Sequence, residues 1–511
     1  MRLAIKHFLI FMLSLPQFLP ATFAQTVTKT SDCECVNLFD ELVEKIEENH
    51  IAYHIEIKGK RDAEYRDRIN IYRKKAEQTS ADKCVPVLKE FIEFYKDGHL
   101  YIGQSPKLSD AEKKRLTASA EKIERSETDI RSYLDKNAKK LDSIEGIWYS
   151  KDKERFAVFR DTKSKNRDFV AVSLSENSGN WEKGQVKAEF KKLNAGSYEV
   201  IYYDENHYRL YPGTYHRGKK GGADIRRNLI LHMPPISWGR EYPTNKDALN
   251  FIDSEDPRRP TMKIIDSSTV LFSIPSHVPD YAPLLKEFVE KNQEQIGRAD
   301  NLIIDLRGNE GGSSWMTNVL MPYIETVSKH AGKYWVDDEE FVLSSPRNIR
   351  YFKAVESQGW LPKNLIKRME ENPGRLVLFN DPKDESAVSN SEEKAEEVKE
   401  TPKPQNVAIL MDDSIVSAGE AFIIKAMKNK KVTLFGENTA GVIDYRSTYW
   451  IPLSHCSTAG IYLGYPMFAA SNRLPEGGVN KTGIAPDVRI GENESDPIRF
   501  IIDYYKRKSG Q

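Results

Sequence analysis

Three short stretches hold residue types that could do chemistry on a carbonyl. In 405–441, QNVAILMDDSIVSAGEAFIIKAMKNKKVTLFGENTAG, the apolar run Val407 to Met411 is followed by two acids and a serine. Ser417-Ala418-Gly419-Glu420 then opens a helical pattern carrying Ala421, Phe422, Ile423, Ile424 and Ala426. A serine between a strand and a helix N-terminus can act as a nucleophile, because unpaired backbone N–H groups there stabilise an oxyanion. The same residue in the same place is also an ordinary N-cap, and this stretch alone does not decide between the two. In 301–312 a buried-strand run, Asn301 to Asp305, breaks into Leu306-Arg307-Gly308-Asn309-Glu310-Gly311-Gly312. Glycines at a strand's end let the backbone approach a ligand and aim N–H groups at developing negative charge. The spacing is not G-x-G-x-x-G, which excludes a dinucleotide loop. The third stretch is Asp97-Gly98-His99, where Gly98 fits a helix-ending position and His99 leads an apolar alternation. A lone histidine there reads by itself as structural or exposed.

These stretches need elements to position them. Lys6 and His7, the apolar run Phe8 to Leu13 and the small residues Ala21-Thr22-Phe23-Ala24 have the layout of a secretory signal peptide cut after Ala24. The run is too short to span a bilayer and Pro16 and Pro20 interrupt it. No later segment is long and apolar enough to be an integral membrane span. Export is therefore expected, to the periplasm or to the outside or surface of the cell. With 76 basic and 76 acidic residues the formal net charge is zero, against the basic excess a nucleic-acid partner would need. Four cysteines are too few for a disulfide scaffold, although in an oxidising compartment Cys33 or Cys35 could pair with Cys84. No Cys/His cluster has ligand spacing, so neither a metal nor another cofactor is implied.

From the signal segment to residue 105 the periodicity predicts a small helical domain, with Leu38, Leu42, Val43 and Ile46 on one face and Val87, Leu88, Phe91, Ile92 and Tyr95 on another. Residues 106–142 read as a charged helical connector. Residues 143–245 carry short strand patterns separated by turn residues, which predicts an antiparallel barrel or sandwich. From 246 to 511 the texture is α/β, with a helix over 281–298 and a closing helix from Pro497 to Lys506. The acidic, aromatic-poor stretch 380–404 reads as a disordered insertion.

DLRGNEGG at 305–312, the Asp413-to-Glu420 segment, GENTAG at 436–441 and TGIAPD at 482–487 occur in that order. Together, over about 261–495 plus the DGH segment, they resemble the tail-specific, C-terminal-processing serine peptidases, the family of the tricorn core and the chlamydial protease-like factor. The resemblance implies an α/β fold with a crotonase/ClpP-like spiral of β-β-α units as peptidase core. The β-rich region occupies the place of a PDZ domain in many members, but it shows no carboxylate-binding loop. Members with a serine–lysine dyad place the lysine just after the glycine matching Gly441, where this chain has Val442, which cannot accept a proton. The tricorn-like branch instead uses a histidine from a distant N-terminal segment, often after Asp-Gly, and His99 matches it. His330 and His455 are the rivals, and both read more easily as structural. That branch also uses a carboxylate about sixty residues past the serine, which nominates Glu476. The resemblance thus implies Ser417 as nucleophile, His99 as base and Glu476 as the group orienting it. The N–H of Ala418, with that of Gly311 or Gly312, would form the oxyanion hole. The implied substrate is a protein or peptide. Two other readings stay open: a non-catalytic peptide- or ligand-binding protein on the same fold, and a glycan-binding surface protein acting through the β-rich region.

Overall fold

The computed structural model describes residues 33–510 except 150–153, 176–180, 195–196, 212–214, 217–218, 221–222, 227–229, 234–235, 244–257, 326–338, 382–403, 457–458, 481, 492–493, 495 and 509. Residues 1–24, read from the sequence as a signal peptide, nearly all of the acidic stretch 380–404 and His330 lie outside the described residues.

The α/β core is a six-stranded sheet in the order Thr261–Asp266, Thr269–Ser273, Asn301–Asp305, Asn406–Met411, Val432–Gly436, Val488–Arg489. The first two strands form an antiparallel hairpin and the rest run parallel. Their unbroken apolar runs follow from burial on both faces. Alternate residues divide between two clusters, as strand geometry requires. Leu302, Ile304, Val407 and Ile409 pack with Leu285 and Val289 of the helix Ala282–Lys291 and with Phe422 and Ile423 of the helix Ala418–Ala426. Ile303, Ala408, Leu410 and Phe435 pack against Ile501, Ile502 and Tyr505 of the helix Pro497–Lys508. The helix expected over 281–298 is interrupted at Asn292, whose side chain donates to the Phe288 carbonyl at 2.8 Å; a second helix covers Gln293–Arg298.

A second sheet sets the position of His99. It holds Tyr101–Gln104, Ile461–Ala469, Phe341–Leu343 and Leu376–Leu378 in that order, with Tyr445–Pro452 also paired to Ile461–Ala469. Pairing of Tyr101 with Gly464 and Ile102 with Leu463 carries the N-terminal segment onto the core. The helices Cys35–Asn49, Asp62–Glu77 and Cys84–Ile92 share one apolar cluster with Val342, Ile451 and Leu463 of that sheet and with Phe352 of the helix Pro346–Val355. Glu41, 8% exposed, accepts from the Ser454 N–H and hydroxyl at 2.8 Å and the His455 N–H at 3.1 Å. Disulfides Cys33–Cys456 and Cys35–Cys84 tie the first helix to that hairpin and to the third helix.

The β-rich region is a barrel. Pairings run from Arg209–Leu210 back through Ser197–Tyr203, Val186–Asn194, Phe169–Ser173, Arg155–Arg160 and Gly146–Tyr149. They continue to Ile236–Tyr242, Ile230–Met233 and Ala223–Arg226, which closes onto Ser197–Tyr203. Trp148, Phe156, Phe169, Phe190 and Tyr198 fill the interior. Ile147, Ala157 and Val170 face outward and bury Ile130 and Leu134 of the helix Glu127–Lys136. Half of the charged connector is thereby packed onto the barrel. The barrel meets the helical segment where Lys89 Nζ donates to the Tyr211 carbonyl and the Tyr211 N–H donates to Gln104 Oε1 at 3.3 Å.

Candidate active site

The glycine turn and the serine turn leave neighbouring parallel strands at the same edge, since Asp305 pairs with Leu410. In open α/β sheets that carboxyl edge is where ligands bind. The turns are bonded to one another: Gly308 N–H donates to Asp412 Oδ1 at 3.1 Å and Val416 N–H to the Asn309 carbonyl at 3.1 Å. Ser417 occupies the N-cap of Ala418–Ala426, but its φ of 51° and ψ of −113° are not those of an ordinary cap. A non-glycine residue held there costs about 1–3 kcal/mol, a strain that persists only when surroundings over-determine it and that clusters at functional sites. Much of that restraint comes from Glu420. Fully buried, its carboxylate accepts from Thr439 Oγ1 at 2.6 Å, Gly441 N–H at 2.7 Å, Val442 N–H at 2.9 Å and Ser417 N–H at 3.2 Å. Burial pushes its pKa up to about 7, against the downward pull of those donors.

His99 Nε2 lies 3.2 Å from Ser417 Oγ, across 318 positions of sequence. Burial lowers the pKa of the ring below its usual 6.5. The charge of Asp97 and the backbones of Val442 and Tyr445 oppose that shift, and Arg446, paired with Glu340, adds to it. Nδ1 is buried with no hydrogen-bond partner among the described residues. The residue in left-handed conformation after the helical segment is Lys96, at φ 51°, not Gly98. Gly98 is glycine for another reason: a Cβ there would overlap Val442 Cγ1. The side chain standing where dyad enzymes place lysine is thus a wall against the histidine turn.

Glu476 is exposed, and its carboxylate makes no hydrogen bond or ion pair among the described residues. The structure does not bring it to His99. The hole candidates separate as well. Gly311, at φ 79°, abuts Ser417, since a Cβ there would stand 3.0 Å from Ser417 Cβ and 3.4 Å from Ala418 N. Its own N–H, however, donates to Asn309 Oδ1 at 2.9 Å. Gly312, at φ 134°, has no room for a Cβ against the His277 carbonyl. The N–H groups of Ala418 and Gly312 have no hydrogen-bond partner among the described residues. His455 is held through its backbone N–H to Glu41 Oε2 at 3.1 Å.

Sequence reasoning missed several supporting groups. Asn309 is fully buried, its Oδ1 also meets His277 Nδ1 at 3.0 Å, and its Nδ2 donates to the Ile274 carbonyl at 2.7 Å. Glu420 is the last residue of the Ser-Ala-Gly-Glu motif, where a capping-box reading was available. Asp97 sits in the Asp-Gly-His segment itself.

A strained serine at a strand-to-helix turn, with its Oγ 3.2 Å from a histidine ring nitrogen, is the arrangement of a serine hydrolase. Residues 272–490 match the profile of peptidase family S41, and that match supports a serine-type peptidase. No curated protein matches the chain. Similar solved structures include mature CPAF complexed with lactacystin, at 12% identity over 93% of this chain and 97% of that one with a TM-score of 0.45. The tricorn protease is similar at 12% identity over 94% of this chain and 37% of that one, TM-score 0.37. A lipoprotein from Streptococcus agalactiae is similar at 18% identity over 51% and 72%, TM-score 0.29.

Proposed function

We propose that the chain is an exported endopeptidase that cleaves proteins or peptides with Ser417 as nucleophile and His99 as general base. The observation that carries this is the 3.2 Å contact between His99 Nε2 and the Oγ of a serine held at φ 51°. Ser417 Oγ attacks the scissile carbonyl while its proton passes to His99 Nε2. The oxyanion is received by the N–H groups of Ala418 and Gly312, each such donor being worth about 10²–10³ in rate. The C–N bond then breaks, the leaving amine takes the proton from His99, and the acyl-serine remains. Water, deprotonated by the same imidazole, releases the acid and restores the serine. A histidine whose pKa lies below 6.5 is neutral, and so competent as a base, at pH 7.

Export is supported by the leader-like residues 1–24 and by two disulfides among the described residues, which persist in oxidising compartments. Among the described residues no helix is long and apolar enough to cross a membrane. The division into a helical segment to 105, a connector to 142, a barrel to 245 and a peptidase core is part of the same reading. A fluorophosphonate probe should label the wild type at Ser417 and leave Ser417→Ala unlabelled. A peptide library should be cleaved only by the wild type. Labelling at another residue, or equal cleavage by Ser417→Ala, would refute the assignment. A folded, unlabelled wild type that still binds peptides would make it a binding protein.

A further inference from the structure

Among the described residues no carboxylate meets the ring of the base: Nδ1 is buried without a hydrogen-bond partner and Glu476 is exposed. A different carboxylate lies beneath it. The side chains of Asp97 and His50 are both fully buried. Asp97 Oδ1 accepts the His99 backbone N–H at 2.9 Å, and Oδ2 meets His50 Nε2 at 3.0 Å. A carboxylate only accepts, so Nε2 is the donor. His50 is fixed in turn. It ends the helix Cys35–Asn49, with its N–H on the Ile46 carbonyl at 2.9 Å. Its ring packs edge-on against Tyr95 at 4.9 Å and, tilted, against Tyr445 at 6.4 Å, and Tyr445 Oη donates to Glu56 Oε1 at 2.7 Å.

Burying a carboxylate is costly unless its partners compensate. A turn-forming role needs only the Oδ1 contact, which an asparagine would supply equally well. What an asparagine lacks is the charge, and it is as a charge that Asp97 acts on the His99 ring. Resting on the Ser417–His99 reading, we propose that Asp97, locked in place by His50, is the positioning residue for His99. It holds the backbone of the base and provides the negative charge that stabilises the imidazolium formed when Ser417 attacks. That is the part a third carboxylate plays in a serine–histidine–acid triad, performed here without contact to the ring nitrogen. The other charged group acting on the ring is Arg446 on the strand Tyr445–Pro452, paired with Glu340.

The test uses the full chain and a peptide substrate taken from the library, with kcat and KM measured between pH 4.5 and 9. Asp97→Asn keeps the turn acceptor and removes the charge. It should lower kcat about tenfold or more, leave KM nearly unchanged, and move the acid limb of kcat/KM down by about one pH unit. Asp97→Glu should restore part of the rate. Should Asp97→Asn fail to fold, His50→Gln, which loosens the lock, is read for the same lowered kcat and displaced acid limb. A wild-type profile in the folded Asp97→Asn enzyme would overturn the inference while leaving Ser417 and His99 intact. So would a displaced limb in Glu476→Gln, which would hand the role to Glu476. Absence of fluorophosphonate labelling at Ser417 in the wild type would instead bring down the underlying reading, and this inference with it.

Discussion

Substituting Gly98 by alanine tests whether the histidine turn is seated against the wall that stands in the lysine position. Gly98 is not in the left-handed region, so the backbone would accept alanine. The obstacle is steric: the added methyl would overlap Val442 Cγ1 and stand 3.0 Å from Val442 Cβ. Val442 is 4% exposed and its N–H is held by Glu420 at 2.9 Å, so the wall cannot easily retreat. Carbon atoms settle at about 3.5–4.0 Å, which requires the turn to move by roughly 1 Å. The His99–Ser417 contact, at 3.2 Å, would open by a similar amount. A misplacement of about 1 Å can cost 10²-fold in rate, roughly 2.7 kcal/mol of barrier. We expect Gly98→Ala to lower kcat/KM on a quenched fluorescent peptide about a hundredfold, with fluorophosphonate labelling slowed in parallel. Adding Val442→Ala removes the overlapping methyl and leaves only the 3.0 Å contact to Cβ. The double variant should recover at least about tenfold, a coupling that independent sites would not show. Full activity in Gly98→Ala, or no recovery in the double variant while both remain folded by urea titration, would refute the reasoning.

Glu420→Gln sets an amide nitrogen against backbone donors in a fully buried site; unfolding free energy should fall by about 2–4 kcal/mol, since each orphaned buried donor costs about 1–3 kcal/mol. Because the wild-type pKa is raised from 4.5 to about 7, its stabilising contribution is complete below pH 4.5 and is lost as pH rises to 7. Urea midpoints measured across that window should show a decline in the wild type that the Gln variant lacks. Lys89, 2% exposed, has its pKa pushed down to about 7 by burial; the unfolded chain then binds the extra proton between pH 7 and 10.5, and stability should rise with pH over that range. Lys89→Met should raise the melting temperature at pH 7 and flatten that rise; a lower melting temperature would show that the bond to the Tyr211 carbonyl outweighs desolvation. Replacing 380–404 by a short Gly/Ser bridge should leave turnover and melting temperature nearly unchanged, because its composition buries too little apolar surface to offset ordering; a large loss in either would show that the segment packs or gates.

The sequence by itself determined what depends on neighbours a few residues apart. The unbroken runs 302–304 and 407–411 are apolar at every position because parallel strands are covered on both faces. The glycine turn and the serine turn follow their strands directly, so the edge where chemistry would occur was legible. Val442 excluded a lysine base by its chemistry alone. Tertiary structure decided which distant groups meet those turns. His99 reaches Ser417 because Tyr101–Gln104 pairs with Ile461–Ala469 and because Glu41 and the Cys33–Cys456 disulfide fasten the helices to the core. Spacing nominated Glu476, but a count of residues cannot say whether a loop turns inward, and this one leaves its acid in solvent. Asp97 was in view beside His99, yet its weight depends on a histidine 47 residues away and on the burial of both side chains. A residue's type and its immediate neighbours set which bonds it can make. Whether it is a surface acid or a buried charge acting on the base is set by packing between segments far apart in the chain, and that is a property of the folded whole.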